Sequence, residues 1–145
     1  DEIQFFTTVG GSLTEAMRIT SDNKVGIGTT SPSATLTVNG SYAGKVTSVT
    51  STPHTIADGD WLVVCTGNSA KTINLPAASS HAGRILQIKD AGGNANSYNI
   101  TVDGSGSETI DGDATYVITQ NYACLTIVCT GTAWVATSVY SGPPP

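Results

Sequence analysis

From Lys45 onward the chain is a succession of short runs in which apolar and polar residues alternate, each closed by turn-forming residues: "HTIA", "WLVVCT", "KTINLP", "RILQIKD", "YNITVDG", "SETIDG", "TYVIT", "ACLTIVCTG" and "AWVATSVY". A period of two is the strand period, and runs this short do not make buried helices. The pattern therefore predicts an all-β unit, a compact β-sandwich or β-prism-like module over residues 45–140. Alternation places Ile73 and Leu75, Leu86 and Ile88, Ile100 and Val102, and Leu125, Ile127 and Cys129 on inward faces, with Thr, Asn, Gln and Lys mostly outward. "CTGTAW" reads as a tight hairpin around Gly131, whereas "DAGGNANS", residues 90–97, has neither an apolar anchor nor a fixed turn type and is expected to be mobile.

Residues 1–44 differ in character: "IQFFTTVGG", "EAMRITSDNKVGIG" and "ATLTVNGS" are extended pieces with glycine or "SDN" at the corners. They hold too few large apolar residues to close a core, which predicts a short fibrous β segment that needs company. Ser12 and Glu15 form a capping-box pair that could open a helix, but the helical periodicity ends within about two turns. "VGIGTTSP" resembles a dinucleotide loop only in part. Ser31 stands at the third glycine position, and an alternating stretch follows where a helix is required, so the glycines are architectural. The end, "SGPPP" at 141–145, reads as a Pro-rich end or linker, and a chain opening on Asp1 reads as a piece of a longer polypeptide.

Only 12% of residues are charged and the net charge is -5, so Ser, Thr, Gly and Asn supply the polar surface. Six scattered Lys and Arg make no basic cluster, which argues against nucleic acid, and no apolar run is long enough for membrane insertion as a helix. Three cysteines without paired C-x-x-C spacing predict no metal site; Cys65 and Cys129, in the near-identical settings "WLVVCTG" and "LTIVCTG", read as small buried hydrophobes. The carboxylate pairs Asp58 with Asp60, Asp103 with Glu108, and Asp111 with Asp113 lie in Gly-rich turns, where Asp is favoured by local backbone bonds. "DGSGSETIDGD" misses the calcium-loop pattern, and His54 and His81 are isolated. No catalytic residue, cofactor or metal is assigned.

Two stretches carry a family resemblance. "EAMRITSDNKVGIGTTSPSATLTVNG", residues 15–40, resembles a recurrent segment of bacteriophage tail-fibre and tailspike proteins; Asn23 and Lys24 stand where that segment usually has Gly-Asn, which alters the turn without removing it. "TINLPAASSHAGRILQIKDAGGNANSYNITVDGSGSETIDGDATYVIT", residues 72–119, is similar to a β-rich module of many phage fibres. The resemblance implies an intertwined homotrimer in a virion appendage, extracellular, with neighbouring fibre or tail proteins and a host-surface glycan or protein as partners. On that implication Gly26 and Gly28 let three backbones approach a shared axis, Val25 and Ile27 fill it, and Pro32 stiffens the exit.

The function so implied is structural and adhesive. A carbohydrate-degrading tailspike fragment and a monomeric bacterial surface adhesin are the alternatives. Trp61, Trp134, Tyr98, Tyr116, Tyr122 and Tyr140 are the large amphipathic rings available to stack on a sugar, both tryptophans being expected in the core. Tyr98, beside Asn94, Asn96 and Asn99, is the leading receptor-binding candidate.

Overall fold

A computed structural model describes residues 1–143, and the chain divides into two units, Asp1–Ala43 and Gly44–Pro145. Every regular element among the described residues is a strand, apart from one 3-10 turn at Ala78–Ser80. The capping-box pair does not start a helix, because Ser12 and Glu15 lie in a strand paired along its length.

In the first unit, β1 (Ile3–Val9), β2 (Ser12–Ile19), β3 (Val25–Ile27) and β4 (Leu36–Val38) form one sheet in that order; only the β3 and β4 pair is parallel. Residues paired across neighbouring strands share a face. The register lines up Phe5, Met17, Ile27 and Val38 in one row, and Ile3, Ile19, Val25 and Leu36 in the next. These two rows make one face apolar at this end of the sheet, and Ile3, Phe5, Ile27 and Leu36 in them are exposed, while beyond the bulge Thr7, Thr14 and Ser12 continue that face. The opposite face carries Gln4 and Arg18. A bulge after Phe5 breaks the alternation and brings Glu15 round to Arg18, whose guanidinium donates to it at 2.6 and 2.7 Å and to Glu2 at 3.0 Å.

The two glycines of "VGIGTTSP" have reasons within one chain. Gly28 is left-handed with φ +67°, and a Cβ at Gly26 would meet the Thr29 carbonyl oxygen at 2.5 Å. Gly26 is buried, Val25 is half-buried and Ile27 is exposed on the apolar face.

In the second unit successive strands alternate between two sheets. β5 (Lys45–Val49), β7 (Asp60–Cys65) and β9 (Ile85–Asp90) run parallel in one, while β6 (His54–Thr55), β8 (Lys71–Asn74) and β10 (Ile100–Asp103) run parallel in the other. Each crossover between parallel neighbours thus contains a strand of the opposite sheet. The chain then reverses: β11 (Thr115–Ile118) pairs antiparallel with β10, β12 (Cys124–Cys129) with β9, and β13 (Trp134–Tyr140) with β12. The sheet orders are β11-β10-β8-β6 and β13-β12-β9-β7-β5, a mixed two-sheet β-sandwich.

Each inward position predicted by alternation is buried in the core between the sheets, joined by Val63, Ile110 and Trp134. Trp61 departs from its expected burial. Lys45 pairs with Asp60 and Val46 with Leu62, so Trp61 is the extra residue of a bulge and is only half-buried, with Gly44 against its indole. Asp60 takes the inward place and accepts bonds from Lys45 Nζ (2.7 Å), Thr47 Oγ1 (2.6 Å) and the Ala57 N–H (2.9 Å). Burial alone would raise its pKa, but these three bonds outweigh it and hold the carboxyl well below the usual range.

The two "CTG" stretches end strands of different connectivity. The second closes the β12–β13 hairpin, whereas the first leads to the opposite sheet. Cys65 pairs with Asp90 at one end of β9, while Val128 pairs with Ile85 at the other. The two thiols are therefore separated by about 16 Å of strand or more, beyond disulfide reach. All three cysteines are free, and burial pushes the Cys65 thiol up to about 11. Native labelling at pH 8 is expected to modify half-buried Cys124 first and Cys65 and Cys129 only on unfolding. Recovery of a Cys65–Cys129 crosslink from the native protein would contradict this register.

Candidate functional site

The residues picked from sequence fall on two sides of one loop. The expectation that residues 90–97 lack an anchor is overturned by Asp90, whose buried carboxylate accepts the backbone N–H groups of Gly93 (3.1 Å), Ala95 (3.0 Å) and Tyr122 (3.0 Å). Ala95 is fully buried, so the loop also has an apolar anchor. On one side the Asn94 amide donates to Asn68 at 3.1 Å, and Asn94 and Tyr98 border a cavity of about 10 Å³ with Lys71 and Asp90. That space suits about one water and no sugar ring. Tyr98 is 39% exposed. Asn99 contributes its carbonyl to the Lys71 N–H, within the sheet framework.

Asn96 lies on the other side, where its N–H donates to the Asn121 side chain at 3.0 Å. Here the loop meets the β11–β12 connection, and the larger aromatic surface comes from Tyr122 and Tyr140, 47% and 54% exposed. Tyr122 is in the left-handed region, φ 59°, with its N–H on Asp90. Its ring packs over Gly93, where a Cβ would lie 2.2 Å from the phenol carbon. Lys89 reaches over from β9: its ammonium donates to the Tyr122 carbonyl and sits 5.9 Å from the Tyr122 ring centroid and 5.4 Å from that of Tyr140. In the sheet, Cys124 pairs with Lys89 on one side and Tyr140 on the other, so the half-buried thiol lies beneath this group. Burial there raises the pKa of Cys124, with the Lys89 charge opposing it.

Cys124 also lines a neighbouring cleft of about 160 Å³, bordered by Tyr116, Gln120, Val139 and Ser141. Tyr122 and Tyr140 were among the rings visible in sequence. Nothing in the sequence joined them, because the link runs through Asp90 and the sheet register.

Three of the six carboxylates weighed for acid–base work, Asp60, Glu108 and Asp111, bond backbone groups of the scaffold. Asp60 is engaged as above, both Glu108 oxygens accept from the Ala78 N–H at 3.0 and 2.9 Å, and Asp111 accepts from the Ala136 N–H at 3.1 Å. Exposed Asp58 accepts from His81 Nε2 at 3.1 Å, while His81 Nδ1 lies 2.8 Å from the Ala77 carbonyl.

No protein-family model matches this chain, and no curated protein does.

Two expected outcomes follow from this geometry. Asp90→Ala removes the acceptor shared by three N–H groups and is expected to cost about 3 kcal/mol in urea unfolding with an unchanged slope. A loss below about 0.5 kcal/mol would show that the loop holds without it. Both nitrogens of His81 face acceptors, so the ring satisfies them only when doubly protonated. The Ala77 carbonyl and then Asp58 raise its pKa above the ordinary 6.5. Its stabilising contribution is complete below that ordinary value and fades as pH rises through the raised one. An NMR titration is expected to place the His81 midpoint above 6.5, with Asp58→Asn lowering it; an unshifted wild-type midpoint would refute the tie.

Proposed function

We propose that this chain is a structural segment of a phage tail fibre or related virion appendage, assembled as a homotrimer and serving multivalent attachment to a host cell surface. The observation that carries the reading is the one-sided sheet of Asp1–Ala43. Its eight aligned apolar side chains form a continuous face, yet Gly26 and Pro32 are the only buried residues among positions 1–43. A single sheet layer with an open apolar face is not independently stable and requires a second layer.

The magnitudes bring assembly within reach. Each of Ile3, Phe5, Ile27 and Leu36 is between 41% and 59% exposed, so covering each is worth about 1 kcal/mol. Three chains then gain on the order of 12 kcal/mol, comparable to the cost of bringing chains together. Strand exchange between copies would add to that gain. The face is uncharged, so identical copies meet without repulsion. The number three comes from the fibre-like stretches at residues 15–40 and 72–119.

Static light scattering at micromolar concentration is expected to report about three times the 14.8 kDa chain mass. Phe5→Lys with Leu36→Lys should reduce it to one. The trimer is expected to adsorb to a responsive strain within a panel of bacterial cells far more strongly than the monomeric variant. A wild-type monomer, or equal adsorption by both forms, would sink the reading.

A further inference from the structure

The chain has six Lys and Arg side chains. Arg18 is paired with Glu15 and Glu2, Lys24 with Asp22, and Lys45 with Asp60. Lys71 is buried on the carbonyl and hydroxyl of Ser69, and Arg84 donates to the carbonyls of Ala57 and Asp60. Lys89 is different. Its ammonium stands between two half-exposed tyrosine rings, donates to one carbonyl, and among the described residues has no carboxylate within ion-pair distance. An ammonium carries three donors, so two remain for another partner.

The group is held in place before any ligand arrives. Asp90 fixes the Tyr122 backbone in its left-handed conformation, Gly93 makes room for the ring, and the Lys89 bond to the Tyr122 carbonyl ties strand to turn. A non-glycine residue held in this region by surrounding bonds is a pointer to function. The Asn121 side-chain amide stands beside the same turn, its oxygen accepting from the Asn96 N–H.

We propose that Lys89, Tyr122 and Tyr140 form a subsite for a carboxylate-bearing saccharide unit. The ammonium takes the carboxylate, the tyrosine rings take the C–H face of the sugar, and the Asn121 side-chain amide at the rim takes a hydroxyl. The proposal rests on the attachment reading above and names the class of surface recognised: acidic polysaccharide. The rings favour a sugar over an inorganic anion, which has no use for two flat apolar surfaces.

The test titrates the ¹⁵N-labelled full chain, followed by NMR, with trigalacturonate, its neutral methyl ester and triglutamate. Shifts are expected at the amides of Lys89, Asn121 and Tyr122, with Kd of about 1–10 mM for trigalacturonate. Binding of the ester is expected to be about fivefold weaker and of triglutamate weaker still, the acid preference shrinking in 0.5 M NaCl. Lys89→Met should abolish the preference for acid over ester while leaving ester binding in place, and Tyr140→Ala should weaken both sugars. Should Lys89→Met fail to fold, the salt dependence and Tyr140→Ala carry the decision.

Equal binding of acid and ester, triglutamate matching trigalacturonate, or no shifts by 20 mM ligand would each overturn the subsite. A monomeric protein that still prefers the acid would overturn the attachment reading and leave the subsite standing. A trimer that adsorbs to cells yet ignores trigalacturonate would do the reverse.

Discussion

One buried carboxylate organises the face of the second unit that carries the candidate site. Asp90 ends β9, the middle strand of the five-stranded sheet, with its side chain pointed into the interior. A carboxylate there requires several donors, and it finds them in three backbone N–H groups from two separate segments. The loop after β9 and the turn before β12 are thereby fixed against one another. Everything polar on that rim, from Asn96 on Asn121 to Lys89 over Tyr122, inherits its position from this bond set.

Alternation made the core legible. Nine inward positions chosen by period, from Ile73 to Cys129, lie within the buried cluster, because a strand period of two maps directly onto a face. Strand direction was not legible. "WLVVCTG" and "LTIVCTG" look alike, yet β7 is parallel to its neighbours and β12 antiparallel. Direction depends on where the chain goes after the turn, and a turn glycine serves either path. Trp61 escaped for a related reason: a bulge shifts phase by one residue, and only the partner strand reveals it. The site was half legible. Tyr98 was chosen because it is near the asparagines in sequence, whereas Tyr122, 32 residues from Asp90, is near them through a hydrogen bond.

The first unit shows how register converts unremarkable composition into a strong constraint. No segment there is conspicuously hydrophobic, and its apolar residues are interleaved with Thr, Arg, Gly and Asn. Two antiparallel pairings and one parallel pairing nevertheless bring eight apolar residues to one side. The ion pairs of Arg18 with Glu15 and Glu2 lie on the other side, which also carries exposed Phe6 and Leu13. The local roles of Gly26 and Gly28 are compatible with an assembly. They shape the β3 end and leave Ile27 exposed on the apolar face.

Assembly and recognition bear on each other through affinity. The proposed subsite of one ammonium and two phenol rings on an open surface would exclude little water and bind at millimolar strength at best. Charge on Lys89 adds selectivity more than strength, since an exposed pair contributes little in water. Repeating the site on one rigid assembly changes the outcome. Where geometry lets several copies engage together, avidity rises by roughly 10² to 10⁴ without new contacts. A deep pocket is then unnecessary, and a hydroxyl-rich, weakly charged module is sufficient. On the proposed reading, the same apolar face that would bring copies together would supply the multiplicity that a shallow acidic-sugar subsite needs.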